Sequence, residues 1–204
     1  MTRRSDSDSG SGAQPNISDS APKRVFGWSD MFVHSDDDPR SGGTFADERT
    51  VLVEFLRNQR LTLERKCDSL DAEQLARRSV PPSTMSLLGL IRHMAEVERG
   101  WFRRTMAGQD APPIYCSEDE PDGDFDGAVA DPAVVDAARR AWRAEVEFAE
   151  RFVAEAADLK VWGRQRRGNV IVLRELLVHM IEEYARHNGH ADLLRERIDG
   201  RVGQ

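Results

Sequence analysis

The stretch HMIEEYARHNGH, residues 179–190, sits in a run that the apolar spacing predicts to be helical from 170 to 198. Positions three or four apart on a helix share a face. The predicted buried stripe is Leu173, Leu176, Leu177, Met180, Tyr184, Ala191, Leu194 and Ile198. Glu183 and His187 are expected to fill its middle. A carboxylate and an imidazole one turn apart and aimed at a core cost free energy unless something satisfies them, and a divalent cation would.

Working outward, three more helices precede this one. The first is expected over 46–67, with Leu52, Phe55, Leu56 and Leu63 at helical spacing. Residues 71–78 read as a short helical turn capped by Asp71, and Pro81-Pro82 breaks the chain after it. A second helix runs from 83–86 to 106, carrying His93 beside its apolar set. A third opens at Asp131-Pro132, a cap followed by proline at the first helical position, and reaches about 157. Residues 158–169 are a loop or short hairpin. The long connection 110–130 is rich in Pro, Gly and acidic residues, and connections of that length are often functional; a plain crossover is the equal alternative. Together these elements predict an all-α protein, a four-helix bundle of up-down-down-up or related topology.

Residues 1–43 are rich in Ser, Asp, Gly and Pro and cannot bury enough apolar surface to offset ordering entropy. They are expected to be a disordered or loosely docked tail. Its one apolar island is VFGWSDMFV at 25–33, read as a weak docking strap, and Met31 is an alternative translation start. Residues 44–204 form the bundle domain, roughly 160 residues, enough for one core.

The chain of 204 residues carries a formal net charge of −7 and no basic patch, which excludes a nucleic-acid footprint. No run of 18 apolar residues provides a membrane span, and no apolar segment follows the N-terminal arginines as a secretory signal requires. Cys67 and Cys116 form no Cys-x-x-Cys pair. A cytoplasmic location is the expectation.

If the second and fourth helices are neighbours, His93 joins Glu183 and His187 in a set of two imidazoles and one carboxylate. That set suits Zn²⁺, Ni²⁺, Fe²⁺ or Mn²⁺ and leaves positions open, the layout of a catalytic rather than a structural metal. His179 and His190 are each placed to be a fourth ligand, a partner to a ligand, or a proton carrier.

The strings LLGLIRHMAEVERGWF and VHMIEEYARHNGHADLLRERIDG resemble the helices of the DinB/YfiT-like superfamily that carry its metal ligands. The likeness covers about 47–200 and is nearest to an actinobacterial group that includes the mini-circle protein. Glu183 stands where most such proteins have His; the mycothiol-dependent maleylpyruvate isomerase branch also has Glu there. The resemblance implies a metal-dependent S-transferase whose partners are a small-molecule thiol, mycothiol in an actinobacterium, and an electrophilic substrate. A homodimer is compatible with such bundles. Two other readings share the same residues: a non-catalytic metal- or ligand-binding bundle, and a hydrolase using metal-activated water.

Overall fold

The computed structural model describes residues 38–40, 43, 45–166 and 168–202. The apolar island at 25–33 and the alternative start at Met31 lie outside the described residues. Eight elements follow in chain order: α1 (Glu48–Lys66), α2 (Ala72–Ala76), α3 (Leu87–Glu98), α4 (Gly123–Asp126), α5 (Pro132–Glu155), β1 (Trp162–Arg164), β2 (Val170–Val172) and α6 (Leu173–Asp199). Helix α3 runs on without a break into a wider π-helical segment, Arg99–Met106.

Local chemistry sets the boundaries. Asp47, Ser86 and Asp131 each accept a backbone N–H of the first helical turn, at α1, α3 and α5 respectively. Asp71 and Gln74 close a reciprocal capping box on α2. Gly200, with φ of 78°, ends α6 in the left-handed region that glycine enters without a Cβ penalty. Arg195, only 1% exposed, donates to the Lys66 and Asp68 carbonyls and so satisfies the C-terminal end of α1.

Four long rods make the bundle. Arg174 pairs with Glu48 and Lys66 with Asp192, so α1 and α6 run parallel. Arg49 reaches the Val153 carbonyl while Arg143 pairs with Glu64, so α5 is antiparallel to α1. His93 meets His187 and Trp101 meets His179, so α3 is antiparallel to α6. The result is up-down-down-up, as the loop lengths suggested. Leu63, Leu88, Met94, Phe102, Leu177 and Tyr184 are among the fully buried side chains at its centre.

Two expectations need correction. The last helix begins at Leu173, not at 170: the β-branched run Val170–Val172 pairs antiparallel with Trp162–Arg164 as a small hairpin. Glu183 and His187 do not fill the buried stripe of α6 either. Tyr184, Asn188 and Ala191 do, because that stripe faces the interior and α1; Asn188 donates to both oxygens of Gln59 there. Glu183 and His187 lie on the flank of α6 turned toward α3.

Candidate metal centre

Because α3 and α6 pack antiparallel, His93 comes level with Glu183 and His187. His93 Nε2 lies 3.9 Å from Glu183 Oε1, and His187 Nε2 lies 3.7 Å from the same oxygen. One ligand atom from each residue falls within 4.8 Å of the others. The two imidazole rings are 4.7 Å apart between centroids. His187 is 12% exposed and the other two side chains just over a fifth exposed, so the group is half-buried with one open side.

Each imidazole has a partner on its far nitrogen. His93 Nδ1 is 2.8 Å from Asp124 Oδ2. A carboxylate only accepts, so His93 donates from Nδ1 and turns Nε2 toward Glu183. Burial alone would raise the Asp124 carboxyl, but the hydrogen bond and charge of His93 and the Phe125 N–H outweigh it and hold the carboxyl below its ordinary value. His187 Nδ1 faces His190 Nδ1 at 3.4 Å. Burial, with the neighbouring His93, lowers His187 to about 4, against the opposing pull of Glu183, so this imidazole is neutral at pH 7. Two imidazole Nε2 atoms and a carboxylate oxygen thus converge. The carboxylate–imidazole contact behind His93 is the arrangement that orients metal-binding histidines. These residues therefore fit a divalent cation.

Asp124 was not singled out in the sequence. It arrives through the long connection, which is fastened to α3 at several points. Glu96 Oε1 accepts backbone N–H groups from Ile114, Tyr115 and Cys116. Arg92 donates to the carbonyls of Asp124 and Gly123, both at 2.8 Å, and lies 3.9 Å over the Tyr115 ring. Phe125 then stacks on His93 at 5.3 Å. The loop is thus a built wall of the site. Its only advance signal was its length and the presence of Phe125 and several Asp residues.

His179 and His190 occupy different surroundings. His190 is in contact with His187. His179 packs edge-on against Trp101, 4.9 Å between centroids, and is not among the three converging residues. Trp101 in turn lines a cavity of about 660 Å³ that opens from His93 along α3 and its π-helical continuation. A smaller groove of about 470 Å³ along α1 and α5 lacks these groups. Both thiols are unsuited to act as nucleophiles. Burial pushes Cys67 up to about 12. Cys116 lines the cavity but is also raised, by burial and then by Asp124 and Glu96.

Asp124→Asn tests the role of the loop carboxylate. It keeps the shape and removes the charge behind His93. Affinity for zinc should fall about 10–100-fold with the fold intact, read by competition with a chromophoric chelator. Unchanged affinity would make the Asp124–His93 contact incidental.

No helix among the described residues is long and apolar enough to cross a membrane. No curated protein matches the chain significantly. The family model described as mycothiol-S-transferase, however, matches residues 51–200, which include α1 from its second turn, the other three rods, His93, Asp124, Glu183 and His187; the chain belongs to that family.

Proposed function

We propose that the protein is an enzyme that transfers a low-molecular-weight thiol of the mycothiol type to an electrophile, in the cytoplasm, at a divalent cation held by His93, Glu183 and His187. The observation that carries this reading is the convergence of two imidazole Nε2 atoms and a carboxylate, one of whose members, His93, also lines a roomy cavity. When bound, the cation would supply the charge that keeps a thiol ionised at neutral pH. The chain's own cysteines, both held protonated, leave the nucleophile to the incoming thiol.

The remaining roles fall to residues around the triad. Asp124 holds the His93 ring in one tautomer and one orientation. His190, beside His187, fixes that ring and is placed to accept the thiol proton. His179 steadies the Trp101 indole, which with Phe125 excludes water from the wall of the cavity. Three protein ligands leave positions for a cosubstrate, as an open rather than a structural site requires.

The experiment is thiol transfer to chlorodinitrobenzene by the zinc-loaded protein, with mycothiol as cosubstrate, beside the chelated protein. Release of chloride and formation of the aryl thioether are expected only with the cation present. Equal rates with and without it would reject the metal-dependent reading. Hydrolysis of the substrate without thioether would favour activated water instead.

A further inference from the structure

The cavity has two ends of different chemistry. Its inner end holds His93, Asp124 and Phe125; its far end holds Arg104, on the π-helical segment, and Arg166, on the hairpin turn. Neither arginine has a hydrogen-bond or ion-pair partner among the described residues. Arg57, Arg60, Arg99, Arg103, Arg143 and Arg174 are all matched with carboxylates.

Backbone geometry puts both charges at the cavity. Gly100 has no side chain, and a Cβ there would stand 2.8 Å from Arg104 Nη2. The guanidinium therefore folds back over Gly100, toward His93, as helical side chains lean. It reaches a level roughly 10 Å along the axis from His93. The hairpin is pressed against the same segment: a Cβ on Gly163 would be 2.3 Å from the Thr105 carbonyl oxygen. That close approach carries Gln165 and Arg166 over the far end. The acids that share the cavity are Glu96, Asp122 and Asp124. Glu96 is bound to the loop amides and Asp124 to His93, which leaves exposed Asp122 as the uncommitted one.

We propose that Arg104 and Arg166 form an anion site that selects electrophiles bearing a carboxylate on the side remote from the reacting carbon. This rests on the thiol-transfer reading for its purpose, though not for its geometry. In the reaction it serves, the thiol sulfur bonds to the electrophilic carbon, the carbon–halide bond breaks with its electron pair going to the halide, and the thiol proton passes through His190 to solvent. The spacing between triad and guanidinium suits an aromatic ring with the carboxylate across from the leaving group. A guanidinium recognises such a carboxylate by paired hydrogen bonds as well as charge.

Calorimetric binding separates the site from catalysis. Two unreactive probes, dinitrobenzoate and dinitrobenzene, are titrated into wild type, Arg104→Met/Arg166→Met and Arg104→Lys, each checked for native circular dichroism. Wild type should prefer the carboxylate by about tenfold, and the double variant should lose that preference. Arg104→Lys should retain part of it. A preference equal in wild type and the double variant overturns the site, including the case in which the carboxylate seats itself on the cation. Absence of any preference in wild type also overturns it. Failure of thiol transfer with a normal binding preference would instead remove the function proposed above and leave the anion site standing.

Discussion

Glu98→Ala is expected to destabilise the fold by about 3–5 kcal/mol, the cost of breaking a buried ion pair by removing one partner. Glu98 is 0% exposed and receives Arg60 in a two-point contact, Nε to Oε1 at 2.8 Å and Nη2 to Oε2 at 2.9 Å. The Tyr184 hydroxyl also donates to Oε1, and the Trp142 indole N–H donates to that hydroxyl, both at 2.8 Å. One carboxylate thus joins α1, α3, α5 and α6 at the centre of the bundle. Its loss strands a guanidinium whose next acidic neighbour, exposed Glu150, is 3.7 Å from Nη1. It also leaves the Tyr184 hydroxyl without an acceptor. Burial, and then the Glu98 charge, already hold that phenol well above its ordinary pKa, so ionisation offers no relief. Urea denaturation reads the loss. Glu98→Gln, which keeps an acceptor, should cost less, about 1–3 kcal/mol. A loss below about 1 kcal/mol for the alanine variant would mean that water reaches Arg60 and that the network is not a structural centre.

His187→Ala should cost more metal affinity than the roughly 100-fold upper bound expected for losing a partner behind a ligand. The imidazole is neutral at pH 7, so its lone pair needs no deprotonation before use. It is also the most enclosed of the three ligands, and its Nε2 faces Glu183 from the same helix. With methyl in its place, one nitrogen and one oxygen remain, too few for tight binding of zinc. Competition with a chromophoric chelator gives the number. His190→Ala is the control. It removes the neighbour of His187 and leaves all three ligand atoms, so the loss should be smaller. Equal losses in the two variants would move the ligand role from His187 to His190.

The helices were legible because caps and apolar period agree along the chain. Asp71 and Asp131, read as caps, cap α2 and α5 in the structure. The hairpin was only half visible. Val170, Ile171 and Val172 continue the apolar run of α6, and nothing local separates a short strand from the first turn of a helix. The predicted stripe of α6 is buried at Leu173, Leu176, Leu177, Met180, Tyr184, Ala191 and Leu194, but Glu183 and His187 lie beside it rather than in it. A helix in a bundle faces two neighbours, and periodicity alone does not say which flank meets α3. Glu183 and His187 were singled out by residue type, spacing and an expected place in the core; the first two hold, and the third is replaced by the half-buried flank facing α3. Asp124 and Glu98 show where local reading stops. The first is delivered by a loop whose path depends on Glu96 and Arg92, the second by a contact 38 residues away in sequence. Arg195 is similar: it reads as a surface charge and is buried because α1 needs its last carbonyls satisfied.

Zinc K-edge X-ray absorption on the loaded protein examines the interhelical convergence itself. Two imidazoles and one carboxylate are expected around the ion, with one imidazole lost in His93→Ala. A spectrum showing fewer than two imidazoles in the wild type, or one that His93→Ala leaves unchanged, would contradict a centre shared between α3 and α6.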